Sequence, residues 1–237
     1  MVVSDGDTVT IPFTTVNTGG TTTYTWTNTD PTTGLTTTGS GDIGFTAVNT
    51  GTSPITTTVV VTPGFENGGN SNTGPTDTFT ITVNPTAQID PIASMTVCNQ
   101  DDTTAIVFTT ENTGGVTTYS WTNDNASIGL TTSGTGTIAS FTAINVTTSV
   151  QAANIVVTPT FENGGNSNTG SSESFTITVN PTAQVNAIDD IIGCDGAINF
   201  HGADTVPPVE GADVPAFVAS IHLYHLDLFA AGWDASV

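Results

Sequence analysis

Phe79-Thr80-Ile81-Thr82-Val83-Asn84-Pro85-Thr86-Ala87-Gln88 recurs without change at Phe175 to Gln184. Phe, Ile and Val alternate with Thr, the period-two pattern of a strand with one apolar and one polar face. Proline, which has no amide proton to give to a ladder, then closes the strand. Just upstream, Phe65-Glu66-Asn67-Gly68-Gly69-Asn70-Ser71-Asn72-Thr73-Gly74 recurs at Phe161 to Gly170, again 96 positions on. Further back, Trp121 matches Trp26 and Phe108 matches Phe13, both 95 positions on. A one-residue insertion before Phe141 reconciles the two offsets. Two copies this alike arose by duplication, and the repeat length is that of one small sandwich domain.

Strands are readable inside each copy. In the second, Ala105–Thr110 carries Ile106 and Phe108 on one face. Thr118–Thr122 alternates Tyr119 and Trp121 with Thr and Ser, and Thr137–Ile144 carries Ile138, Phe141 and Ala143. Asn154–Thr158 is an apolar run suited to burial between sheets, and Glu173–Asn180 repeats the opening pattern. No segment of either copy has helical periodicity. The expected fold is all-β: tandem immunoglobulin-like, antiparallel β-sandwiches. The expected domains are 1–87, a first repeat whose start is cut, 88–184, a second repeat, and 185–237, a partial third repeat with a divergent apolar tail. Thr-Ala-Gln after Pro85 and after Pro181 leaves little slack between them, so the repeats are expected to stack stiffly.

Composition sets what such a chain can meet. There is no Lys and no Arg against 21 Asp plus Glu, a formal charge of −21. Such a chain cannot neutralise phosphates, which argues against nucleic acid, and it has no basic patch for an anionic membrane surface. Schiff-base lysines, arginine clamps and Lys–Asn isopeptide cross-links are excluded outright. Thr accounts for 52 of the 237 residues, and its β-branched, hydroxylated side chain suits the wet face of a sheet. The patterned aliphatic and aromatic residues argue against disorder. No apolar run reaches membrane-spanning length. The first residues join a strand pattern midway, as in a segment of a longer polypeptide, and no leader is visible.

Tyr24-Thr25-Trp26-Thr27-Asn28 and Tyr119-Ser120-Trp121-Thr122-Asn123 are joined by Ile128-Gly129-Leu130, Ser133-Gly134-Thr135-Gly136, Val157-Thr158-Pro159 and the repeated FTITVNPT. Together, over roughly residues 1–200, these resemble the PKD-like repeats of large surface and gliding-motility adhesins of Bacteroidetes-type bacteria. The resemblance implies Ig-like sandwiches in long arrays, export across the outer membrane, and adhesion or surface spacing. Such repeats often carry an early Cys and a second near the Asn-x-Asn-Thr-Gly turn. Here Cys98 and Cys194 hold the early place, Val3 is its expected counterpart in the first copy, and Asn72 and Asn168 replace the second. No intradomain disulfide is therefore expected, nor one between Cys98 and Cys194, which stand a domain length apart.

Candidate sites are sparse. Calcium is the best small-ligand candidate, at Asp101, Asp102, Asp189 and Asp190 and at Ser4-Asp5-Gly6-Asp7, where hard oxygen ligands would rigidify a domain start. No EF-hand or nonapeptide calcium repeat is present. His222 and His225 are three apart, a zinc spacing without further ligands nearby, and no nucleophile-elbow motif accompanies His201. Trp26 and Trp121 read as core residues, with sugar stacking the other reading. Asn125-Ala126-Ser127 and Asn145-Val146-Thr147 match the N-glycosylation sequon. Asp7-Thr8-Val9, Asp102-Thr103-Thr104 and Asp204-Thr205-Val206 resemble an O-glycosylation context. The last residues depart from the pattern. Asp213-Val214-Pro215 reads as a helix start and Ser220-Ile221-His222-Leu223 as a strand, and the apolar side chains there are expected to pack on the second repeat or on a neighbouring chain.

The expectation is a non-enzymatic structural repeat of a secreted, cell-surface adhesin or filament. Its partners are other repeats of the same protein, in a homo-oligomer or filament. The alternative is a module whose end loops bind a surface glycan or a calcium-dependent partner. The Phe-Glu-Asn-Gly-Gly-Asn-Ser-Asn-Thr-Gly segment fits either, as a packed junction turn or as a repeated receptor site.

Overall fold

The computed structural model describes residues 1–188. The expectations for Asp189, Asp190, Cys194, Thr205, the three His residues and the apolar tail lie outside the described residues. Met1–Gln184 forms one compact unit holding both repeats, and Val185 opens a second.

The first repeat contains β1 (Val2–Ser4), β2 (Thr8–Ile11), β3 (Thr21–Asn28), β4 (Thr38–Ser40), β5 (Ile43–Thr46), β6 (Ile55–Asn67), β7 (Asn70–Thr73) and β8 (Asp77–Asn84). Its larger sheet runs β1-β8-β6-β3-β4, while β2 and β5 form the facing two-stranded sheet. The second repeat has β9 (Met95–Cys98), β10 (Val116–Asn123), β11 (Ser133–Thr135), β12 (Gln151–Asn163), β13 (Asn166–Thr169) and β14 (Glu173–Asn180). Its sheet runs β11-β10-β12-β14-β9, the same order. All pairs are antiparallel except the edge pairs β1–β8 and β9–β14, which are parallel because the first strand of each repeat lies beside its last.

The thirteen-residue β6 and β12 organise each sheet. Their first halves pair with β8 and β14, and their far ends turn into β7 and β13. The expected run Asn154–Thr158 is thus the centre of a longer strand. Inward positions alternate as the pattern demands: Trp26, Val59, Val61, Ile81 and Val83 are buried in the first repeat. Trp121, Ile155, Val157, Ile177 and Val179 take the same places in the second. Each Trp lies opposite a glycine, Trp26 to Gly39 and Trp121 to Gly134. A Cβ on either glycine would collide with the indole ring, so the ring needs a residue without one. This settles Trp26 and Trp121 as core rather than sugar platforms. The Asn that ends each Trp strand is also buried. Asn28 Nδ2 donates to the Leu35 carbonyl at 2.8 Å, and Asn123 Nδ2 to that of Leu130 at 3.0 Å, satisfying chain that lacks a ladder partner.

The repeats differ in the facing sheet. Ile106 bridges Ile138 and Asp102 bridges Thr142, but the expected strands Ala105–Thr110 and Thr137–Ile144 are not formed as ladders. One inserted residue was expected, before Phe141; the structure contains two. Asp101 pairs with Ala143 as Asp7 does with Ala47, so a further residue enters between Asp101 and Ile106. The two insertions lie opposite each other, which keeps the register and lengthens both segments by one residue. A one-residue shift reverses which face each side chain takes, and the regular ladder is lost between the bridges.

The same shift corrects the counterpart of Cys98. Cys98 aligns with Asn180 as Ser4 aligns with Asn84, so it stands for Ser4 and not for Val3. Gln100, with φ of 72°, then occupies the left-handed position held in the first repeat by Gly6.

Candidate functional site at the repeat junction

The best-constructed polar arrangement in the molecule lies between the repeats. Asn163-Gly164-Gly165-Asn166 joins β12 to β13, with Asn163 paired to Asn166. Gly164 and Gly165 have φ of 61° and 79°, the two left-handed central residues of a tight hairpin turn. This hairpin is seated on the end of the first repeat. Asn84, fully buried, donates from Nδ2 to the carbonyls of Asn163 at 2.9 Å and Asn166 at 3.3 Å. Asn163 Nδ2 donates back to Asn84 Oδ1 at 3.0 Å, and Asn166 Nδ2 donates to the Val2 carbonyl at 2.9 Å. Asn168 reaches the Asp5 carbonyl and the Thr86 hydroxyl, each at 3.3 Å. A Cβ on Gly170 would strike the Ala87 carbonyl, so the chains meet backbone to backbone.

A second patch completes the junction. Asn112 Oδ1 accepts from the Gln88 amide at 2.6 Å, and its Nδ2 donates to the carbonyls of Thr86 and Thr52. The Thr113 amide donates to the same Thr52 carbonyl at 2.9 Å. Ile89 and Ile92, directly after the linker, pack against the core of the second repeat. Thr86-Ala87-Gln88 is therefore fixed from both sides.

Acidic side chains near this end already have donors. Asp5 accepts from the Asn49 amide at 2.8 Å and the Thr86 hydroxyl at 2.9 Å, and Asp7 accepts from the Ser4 amide at 2.7 Å. Asp102 accepts from the Thr142 hydroxyl at 2.6 Å, while Asp101, its exposed neighbour, pairs through its backbone. Among the described residues no three His, Cys, Asp or Glu side chains cluster as a metal site would require. Asp30, capping the turn Pro31–Thr33, is held below the usual carboxylate range by hydrogen bonds from the Thr32 hydroxyl and amide. Burial pushes the Tyr119 phenol up, and the nearby Asp90 charge adds to this.

Two modification expectations are corrected. Asn145 is buried, and its Nδ2 donates to the carbonyls of Ser149 and Val179, both at 2.8 Å, leaving it no free amide for a glycan. Thr103 is buried beneath Phe141, whose amide it accepts at 3.1 Å, whereas Thr8 is exposed. Asn125 lies on the surface, its amide donating to the Ala152 carbonyl.

The ten-residue repeat thus plays two parts: its second copy is a packed junction turn and its first copy is exposed. Asn84 and Asn112 were not singled out from the sequence. Neither carried a signal: Asn84 falls in phase with the outward Thr80 and Thr82 of its strand and is buried only because the next repeat is seated on it, and Asn112 lies outside the patterned strands.

These features define an all-β protein of tandem Ig-like sandwiches. Among solved structures the chain is similar to one described as Sidekick-1 immunoglobulin domains 1-4, at 10% identity and a TM-score of 0.25. That match covers 78% of this chain and 46% of the other, and at such a score it carries no argument; the fold rests on strand order and register. No protein-family model matches the chain, and no curated protein does. Among the described residues no helix is long and apolar enough to cross a membrane.

Proposed function

We propose that this chain is a non-enzymatic structural module of an extracellular adhesin or surface filament, working as a stiff spacer. The observation that carries this reading is the seating of the Asn163–Asn166 hairpin on Asn84, Val2 and Asp5. A flexible tether would leave these backbone groups to water. Here side-chain amides satisfy them, that of Asn84 fully buried, and the linker between the repeats has no slack to unwind. Export is favoured by the resemblance to PKD-like surface repeats, and a Thr-rich chain without Lys or Arg suits repeated exposed sheets.

Spin labels at Thr23 and Thr118, exposed and equivalent in the two repeats, test the spacer, with both Cys changed to Ser. A single narrow distance distribution by pulsed electron resonance is expected. A broad one would sink the spacer reading and favour independently moving beads.

A further inference from the structure

Each repeat carries both halves of the junction, and among the described residues only one of each is paired. On the entering side, Asn67, Asn70 and Asn72 are the counterparts of Asn163, Asn166 and Asn168, in a hairpin of the same glycine geometry, φ 60° and 79°. All three are exposed. Asn17, counterpart of the bridging Asn112, is exposed and among the described residues bonds only to Thr15. On the receiving side, Asn180 and Thr182 stand for Asn84 and Thr86. Where Ser4 and Ala87 are buried by the next repeat, Cys98 and Ala183 are exposed.

An apolar half-site accompanies the polar one. In the second repeat the linker runs beside Thr109, with the Asp90 amide donating to its carbonyl at 2.9 Å, and Ile89 and Ile92 join the core. In the first repeat the counterparts of the residues it covers, Met1, Ile11, Thr14 and Tyr24, line an open groove with Phe13 and Phe79. The residues after the second repeat that match Ile89 and Ile92, Val185 and Ile188, are 84% and 78% exposed.

We propose that a second copy of this chain joins it head to tail through these two surfaces. The end of the second repeat, at Asn180, Thr182 and Cys98, receives the Asn67–Asn70 hairpin of the next copy, while Val185 and Ile188 enter that copy's groove. The contact reuses the chemistry of the internal junction, neutral amides against backbone carbonyls. With no Lys or Arg in the chain, the contact draws on no basic side chain. Entering and receiving surfaces differ, so the contact is heterologous and propagates into linear oligomers. The proposal rests on the spacer reading only in taking the internal junction as the template, and it adds the partner.

The test uses the full chain and two variants. Asn70→Asp places a charge on the entering hairpin, and Asn180→Asp places one on the receiving end; neither side chain makes a hydrogen bond within its own chain among the described residues. Sedimentation is followed from about 1 µM to about 1 mM, which spans weak to moderate association. Wild type should gain mass with concentration while alkylation of Cys98, located by mass spectrometry, falls. Each variant should melt as wild type and stay monomeric. An equimolar mixture should give dimers and nothing larger, since one live entering surface and one live receiving surface remain per pair. A monomeric wild type, a variant that associates like wild type, or a mixture without dimers would overturn the proposal. So would protection of Cys98 in a monomer, which would mean that the chain covers its own end. Monomers that still give a narrow distance between Thr23 and Thr118 labels would refute head-to-tail joining and leave the spacer reading standing.

Discussion

Asn84 and Asn163, one from each repeat, hold each other by two reciprocal bonds: the Asn84 amide to the Asn163 carbonyl, and the Asn163 amide to Asn84 Oδ1. Asn84 is fully buried by this contact, whereas its counterpart Asn180, which has no such partner among the described residues, is only half-buried.

Asn84→Ala should therefore loosen the junction without dismantling either sandwich. Two carbonyls and one amide lose their partner, which costs about 1–3 kcal/mol where no water replaces it. Urea unfolding should show the loss, and the distance distribution between labels at Thr23 and Thr118 should broaden. Asn180→Ala, outside the internal junction, should leave both unchanged.

Gly134→Ala should damage the second repeat alone. Its new methyl group would meet the face of Trp121, and overpacking of this kind costs about 1–3 kcal/mol. Trp121→Ala empties the same space and should cost about 3–5 kcal/mol. Near-ultraviolet circular dichroism should report both, with the Trp26 contribution retained.

The larger sheets were legible because their inward side chains keep strict period two. Phe175, Ile177 and Val179 predict β14 to the residue, and Pro181 marks its end. The facing sheet of the second repeat was misread because Ile106, Phe108 and Phe141 keep the apolar pattern although inserted residues break the ladder between them. The first residues showed a strand pattern joined midway, where β1 lies, but the edge strand β9 was missed since four residues hold too few alternations to read. The junction was half legible. Asn-Gly-Gly-Asn announces a hairpin, but the Val2 and Asp5 carbonyls in its seat are main chain, which no residue type encodes, and Asn84 falls in phase with the outward Thr of its strand.

Tyr119 should give stability an alkaline limb. Its folded pKa is raised above the ordinary 10.0 by burial first and by Asp90 second, so folding favours the neutral phenol. That stability is fully present below the unfolded pKa and is lost as pH rises through the folded value. Melting temperature should fall above about pH 10, and Tyr119→Phe should flatten the fall. An unchanged slope in the variant would show that the limb comes from other groups.

Salt should stabilise this protein. With 21 acidic side chains and no Lys or Arg, repulsion between carboxylates opposes the compact state, and no Lys or Arg ion pairs stand to be weakened by screening. The Debye length falls from about 30 Å at 0.01 M to about 8 Å at 0.15 M, from longer than a domain radius to the spacing of neighbouring side chains. The melting temperature of a monomeric variant such as Asn70→Asp should rise over this range, as a property of the sandwiches themselves. In wild type the same salt should also promote association, since each junction brings two anionic chains together. Calcium and magnesium at equal ionic strength separate screening from binding. Screening alone gives equal melting temperatures, the result expected where Asp5, Asp7 and Asp102 already accept hydrogen bonds. An excess with calcium that Asp101→Asn or Asp102→Asn removes would instead establish a cation site at the start of the second repeat.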